Sequence, residues 1–279
     1  MKAFSVRRWV LPGLLLAAGL ASAPLTGAAQ EPAPGRAELF AVLGAGKGAQ
    51  FSLPQVRLAD ELAAARINRG IARAVVSQAD APVDTMAALP RQLRQLRQLA
   101  GQPCCLSGAR FQTLLNQGNL LSLKLTLEFH GAYYYERPVY LVFDLSTGQR
   151  LTLAALVADP PAQLARRLEG AVNRRIGEFL GDTATGEHAG RAALAERFGW
   201  DFAKRRVRFS TADAPTEIPA PDLGEFALTP HTLLLFYRVG LPSSMLADIP
   251  EDTYRFPYTR LQARGRLAEL VQKGASGAR

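Results

Sequence analysis

Four of the seven tyrosines, Tyr133, Tyr134, Tyr135 and Tyr140, crowd around one turn, with Glu136 and Arg137 between them. A tyrosine offers a flat apolar face and a hydroxyl, which suits stacking on a sugar ring or anchoring a protein partner. Tyr133, Tyr134, Tyr135, Glu136 and Arg137 are therefore the candidate ligand-binding residues. The competing reading is that rings on two adjoining strands pack against the sheet or its helices. Glu128 and Glu136 would suit glycoside cleavage if folding set their carboxyl groups about 5 to 9.5 Å apart. Asp144 precedes Ser146-Thr147-Gly148, where an aspartate serves turn amides more often than acid catalysis.

Other reactive residue types fall short of a site. His130, His188 and His231 share no ligand spacing and no Cys or carboxylate pattern accompanies them, so no metal is expected. Cys104 and Cys105 are adjacent; neighbouring Cα atoms are about 3.8 Å apart, short of the roughly 4.4 to 6.8 Å of an ordinary disulfide. Such a pair closes no long loop and is expected to be dispensable for folding. Ser243-Ser244 lacks the Gly-x-Ser-x-Gly elbow of an exposed nucleophile. The segment Gly44-Ala45-Gly46-Lys47-Gly48 has the glycines of a phosphate loop without its Gly-Lys-Ser/Thr ending and reads as a β-turn. The expectation is no catalytic residue and no cofactor.

The N-terminus addresses the compartment. Lys2, Arg7 and Arg8 precede an apolar run from Trp9 to Leu20, and small residues follow through Ala29. That is the order of a secretory signal peptide. The run is interrupted by Pro12 and Gly13, whereas a membrane anchor needs roughly 20 apolar residues. Residues 1–29 are therefore expected to be removed near Ala28 or Ala29, leaving a periplasmic or secreted protein without a stable membrane anchor. The chain has 33 Lys and Arg against 24 Asp and Glu, a net charge of +9, and three of those bases lie in the leader, which leaves +6. A modestly basic exported protein is drawn to anionic lipids, teichoic acids and acidic polysaccharides. No nucleic-acid partner is expected.

The elements that must position these residues alternate between helix and strand. Leu58, Leu62, Ile67, Ile71 and Val75 line one face of a helix over 57–78. Leu89, Leu93, Leu96 and Leu99 line a second, and Leu164, Leu168, Val172, Ile176 and Leu180 a third, with a short helix at 191–198. From Leu120 to Phe129 the odd positions are apolar, while Ser122, Lys124, Thr126 and Glu128 form a polar alternate, so one face is expected to be core and the other wet. Strands are expected over 138–145, 150–153, 205–211, 225–229, 232–239 and 254–258. The fold class is α+β, with antiparallel sheets packed against amphipathic helices in two consecutive subdomains. The boundaries read as a leader (1–29), a flexible lead (30–39), an N-terminal subdomain (40–160), a C-terminal subdomain (161–265) and a tail (266–279).

Several segments carry a resemblance: Ala65-Arg66-Ile67-Asn68-Arg69-Gly70-Ile71, Phe143-Asp144-Leu145-Ser146-Thr147-Gly148, Leu151-Thr152-Leu153, Phe226 to Val239, and Phe256-Pro257-Tyr258-Thr259-Arg260-Leu261. They resemble an exported domain family of largely unknown function, found in the extracellular part of the anti-sigma-V factor and beside a peptidoglycan deacetylase. The resemblance spans residues 40–261 and implies an α+β fold. It also implies a non-catalytic role, since lysozyme is sensed by binding in the first case and chemistry sits in a separate domain in the second. Two departures stand out: Tyr133 where relatives often have a His, and Arg238 where they often have a carboxylate. The function expected is that of an exported cell-envelope module binding a glycan or a protein, a lysozyme-like one among the latter. An envelope enzyme acting on peptidoglycan or polysaccharide is the alternative, and a structural accessory subunit the third reading.

Overall fold

The computed structural model describes residues 35–46, 49–77, 105–130, 134–182, 188–210, 218–238 and 250–276. The leader, the helix expected around Leu89 to Leu99, Cys104, Tyr133 and Ser243-Ser244 lie outside the described residues, as do the side chains of Cys105 and His188.

The main sheet has five strands in sequence order: β1 (Glu38–Gly46), β2 (Ala49–Arg57), β3 (Cys105–Gln117), β4 (Leu120–His130) and β5 (Tyr134–Asp144). Neighbours run antiparallel except β2 and β3, which meet in parallel at Phe51 and Ala109. The chain is α+β as expected, with this one parallel seam. Gly118 and Asn119 join β3 to β4, both at positive φ (63° and 61°), as a two-residue type I′ hairpin turn requires. β3 bears register shifts at Leu106/Gly108 and Thr113/Leu115. β5 forms an edge: its outer side makes the isolated Phe143–Arg150 bridge, and its Tyr140 carbonyl accepts from the Arg150 guanidinium at 3.4 Å.

Helix α1 (Glu61–Val76) covers one face of the sheet. Asp60 caps it, its carboxylate accepting from the Leu62 and Ala63 amides. Ala63, Ile67, Ile71 and Val75 are buried, and the latter three pack with Leu121, Leu123, Leu125 and Leu127 of β4 and Phe143 of β5. Leu62, assigned by spacing to the inner face, is instead 71% exposed. The helix starts later than expected, and Ala63, one position on, takes the inner stripe.

Two asparagines do the work of strand backbone. Asn68 accepts from the Val56 amide (2.8 Å) and donates to the Val56 carbonyl (2.9 Å). Asn116 makes the same pair of bonds with Ala37, both at 2.8 Å. A primary amide carries a donor and an acceptor, so each replaces one rung of a ladder. Ala37, within the expected flexible lead, is thereby tied down and buried.

The opposite face of the sheet is not simply wet, and that expectation is corrected. A second antiparallel sheet, β8 (Phe226–Leu228), β9 (Thr232–Phe236) and β10 (Thr253–Pro257), contributes Ala227, Leu234 and Phe236 to a cluster with Tyr140 of β5. Ser122 is fully buried there, its hydroxyl accepting from the Leu228 amide at 3.0 Å, and Thr126 is buried as well. Lys124 and Glu128 stay half-buried. A small polar side chain in an alternating strand can thus mark a docked strand as readily as solvent.

The remaining elements include α2 (Leu153–Leu156), α3 (Pro161–Asp182), α4 (His188–Arg197), the short ribbon β6 (Trp200–Asp201) with β7 (Arg206–Val207), and α5 (Gly265–Ser276). The strand expected over 150–153 is a single bridge at Arg150 followed by the one-turn α2. Leu164, Leu168, Val172, Ile176 and Leu180 form the buried stripe of α3 as expected, sharing a core with Leu115, Leu120 and Val142 of the main sheet.

Candidate functional site

The β4–β5 hairpin carries the predicted site, and the pleat divides it. Cross-strand pairs are His130–Tyr134, Phe129–Tyr135 and Glu128–Glu136. Side chains alternate along a strand, so Tyr134 and Glu136 share one face, while Tyr135 and Arg137 share the other. Tyr134 is 52% and Tyr135 55% exposed. Both are nonetheless held. Tyr135 stacks on Phe129 with ring centres 4.9 Å apart and planes 8° from parallel, and the Tyr134 hydroxyl donates to Glu136 Oε1 at 2.7 Å. Tyr140 belongs elsewhere: it is buried against Phe236 at the seam between the sheets.

On the Tyr134 face a polar chain forms around Arg110 of β3. Its guanidinium reaches Glu128 at 2.5 Å and Glu136 at 2.6 Å. His130 Nδ1 lies 2.6 Å from Ser107 Oγ on the same side. The Arg110 hydrogen bond holds the Glu136 carboxyl below the usual carboxylate range, and acceptance by Glu136 raises the Tyr134 phenol above its ordinary value. Arg110 is itself pushed up, first by Glu136.

Glu136 in this arrangement is a poor general acid. A glycoside hydrolase keeps one carboxyl protonated for the leaving group by raising its pKa, whereas Arg110 holds Glu136 ionised. Asp144 has the turn role expected of it, accepting from the Ser146 amide (2.8 Å) and hydroxyl (2.6 Å), and Arg266 Nε adds a third donor at 3.2 Å. No group of three His, Cys, Asp or Glu among the described residues is placed to hold a metal. A separate apolar hollow of about 610 Å³ lies beside α2, with Leu153, Val157, Leu164 and Phe226 in its wall. Its buried Asp159 accepts from the Gln262 amide at 2.6 Å and lies 3.0 Å from Arg167.

Arg110 and Ser107 were not legible as site residues, because their place depends on the bulged register of β3. The split of Tyr134 from Tyr135 was legible in principle from strand alternation alone.

No family model matches the chain, and no curated protein matches it. Among solved structures it is similar to a DUF3298 family protein from Pseudomonas aeruginosa PAO1, with a TM-score of 0.50 and 16% identity over 85% of this chain and 97% of that one. The two share a fold. A DUF3298 family member from Bacteroides fragilis NCTC 9343 aligns with a TM-score of 0.47 and 14% identity, over 85% of this chain and 96% of that one. DUF3298 is a domain of unknown function, so the likeness to the Pseudomonas protein supplies architecture and leaves the ligand to the side chains.

Proposed function

We propose that this is an exported, non-catalytic module that binds a cell-envelope component, a glycan or a protein such as a lysozyme-like enzyme, through the outer end of the β4–β5 hairpin. Export rests on the leader-like N-terminus. The binding role is carried by one observation: Tyr134 and Tyr135 are about half exposed yet fixed by a hydrogen bond and a stacked ring. Rings ordered before binding lose little conformational freedom on contact and make effective anchors. Because the two rings face opposite sides, the partner is expected to grip the hairpin around its edge.

The test is cosedimentation of the purified protein with peptidoglycan, and titration with lysozyme, for wild type, Tyr134→Ala and Tyr135→Ala, with soluble sugar release followed in the same samples. Binding without release is expected, weakened by about 2 kcal/mol where a substituted ring is a hot spot, with thermal melts nearly unchanged. Sugar release that disappears in Glu136→Gln would establish the enzyme reading instead. Unchanged affinity in both tyrosine variants would remove the hairpin from the binding surface.

A further inference from the structure

A groove of about 750 Å³ runs between α3 and β10. Arg167, Arg174, Arg175, Arg255 and Arg260 line it against one carboxylate, Glu178. Some of that charge is already answered. Arg167 lies 3.0 Å from buried Asp159, and Arg255 makes a loose, exposed pair with Glu251 at 3.4 Å. Arg175 is held without being neutralised: it donates to the carbonyl oxygens of Glu251 and Thr253, the latter at 2.8 Å, and its guanidinium sits 4.1 Å from the centre of the Tyr254 ring. Among the described residues, neither Arg174 nor Arg260 forms an ion pair with a carboxylate. Three guanidinium groups without an ion pair among the described residues therefore line a groove that holds one glutamate. Guanidinium is the side chain best suited to phosphate and carboxylate, which it meets with paired donors.

The floor of the groove is open where nothing in the packing asks for it. Gly170 and Ala171 of α3 line the groove with these arginines, and a Cβ on Gly170 would meet nothing within 4 Å. Glycine in a helix interior costs about 1 kcal/mol relative to alanine, and no neighbouring side chain here requires it. The backbone of α3 is left uncovered at this position. The groove also continues: Arg174 and Glu178 are shared with a second hollow of about 540 Å³ whose wall includes Arg205 and Phe202, a ring 53% exposed. From Gly170 to Gly181 the two hollows span about 16 Å of helix. A single small anion would fill only part of that length.

We propose that this groove binds an extended anionic polysaccharide carrying phosphate or carboxylate groups along its chain. The arginines take the charges. The surface shares no residue with the β4–β5 hairpin, so either site can fail alone, although a glycan rather than another polyanion follows from the exported reading. A bilayer is flat and reaches a groove between a helix and a strand poorly.

The experiment is calorimetric titration of the full protein with polygalacturonate, poly(glycerol phosphate), neutral dextran, single-stranded DNA and phosphatidylglycerol vesicles. Polygalacturonate and poly(glycerol phosphate), which carry carboxylate and phosphate along their chains, should bind, dextran should not, and affinity should fall as salt rises from about 50 to about 300 mM. Arg174→Ala with Arg260→Ala should lower affinity at least tenfold without moving the melting temperature, since neither has an ion-pair partner among the described residues. Gly170→Leu should abolish binding while leaving the melt unchanged or higher, a combination that a structural role for the glycine does not produce. Tyr134→Ala should leave this binding intact, which separates it from failure of the hairpin site. Equal binding of dextran, indifference to all three substitutions, or binding of vesicles or DNA in preference to both polymers would overturn the proposal.

Discussion

Tyr134, Tyr135 and Tyr140 lie within seven residues of one another and occupy three environments, so the same substitution should give three results. Tyr140→Ala removes a buried ring stacked on Phe236 at 3.7 Å and should cost about 3–5 kcal/mol, whereas Tyr134→Ala and Tyr135→Ala should cost under about 1 kcal/mol, as read from urea melts. Burial pushes the Tyr140 phenol up to about 12; Tyr134 is raised for a different reason, its bond to Glu136. Glu136→Gln should therefore lower the titration of Tyr134, followed by tyrosinate absorbance, and leave that of Tyr140 in place. At Asp144 burial pulls the pKa up, but the Ser146 hydroxyl and amide and then Arg266 outweigh it, and the net shift is downward. A carboxyl with a folded-state pKa below its unfolded value stabilises the fold above the ordinary aspartate range of about 3.9, and that contribution disappears as pH falls through the folded value. Asp144→Asn should accordingly cost about 1–2 kcal/mol at neutral pH, and its melts should converge on those of wild type as pH falls through the folded-state value of Asp144, below the ordinary aspartate range.

The elements differ in how openly the sequence declares them. β4 and α3 were legible because each has a single period, two for the strand and about four for the helix, sustained over ten residues or more. β3 was not, since its two register shifts break the alternation that would have marked it. β1 and β2 were hidden as well: Gly44 to Gly46 reads as loop, and Pro54 lies within β2. The hairpin tyrosines were legible as a cluster, but Arg110, which orders their polar face, becomes a neighbour only through that irregular strand. Asn68 stood out in a segment whose resemblance could be seen without its reason. The reason is the surrogate rung it supplies to Val56, and Asn68→Ala would strand a buried amide and a buried carbonyl at a cost of about 2–5 kcal/mol, measurable by chemical denaturation. Gly148 closes the turn after β5 at φ +70°, and a Cβ there would sit 2.8 Å from the Ala63 Cα of α1. Gly148→Ala should thus cost at least about 1–2 kcal/mol from backbone conformation alone, with the collision added to it.

At the scale of the molecule, Leu115, Leu120 and Val142 of the main sheet are buried with Leu168, Ile176 and Leu267 from the C-terminal helices. Elements that share one core unfold together. Fluorescence of Trp200, which sits in the C-terminal half, should lose its native signal at the same denaturant concentration as far-UV circular dichroism; separated midpoints would show that the two halves melt independently. The edge strand β5 has a consequence for colonies of such molecules crowded in one compartment. An unpaired edge invites another chain to add a strand, the first step of aggregation. Pro138 lacks the amide that such an addition needs, and Glu136 and Arg137 place opposite charges beside it. The molecule can therefore display aromatic rings at that margin while its backbone refuses to template a neighbour, and replacing Pro138 with valine should bring concentration-dependent self-association, visible by light scattering, before any loss of fold.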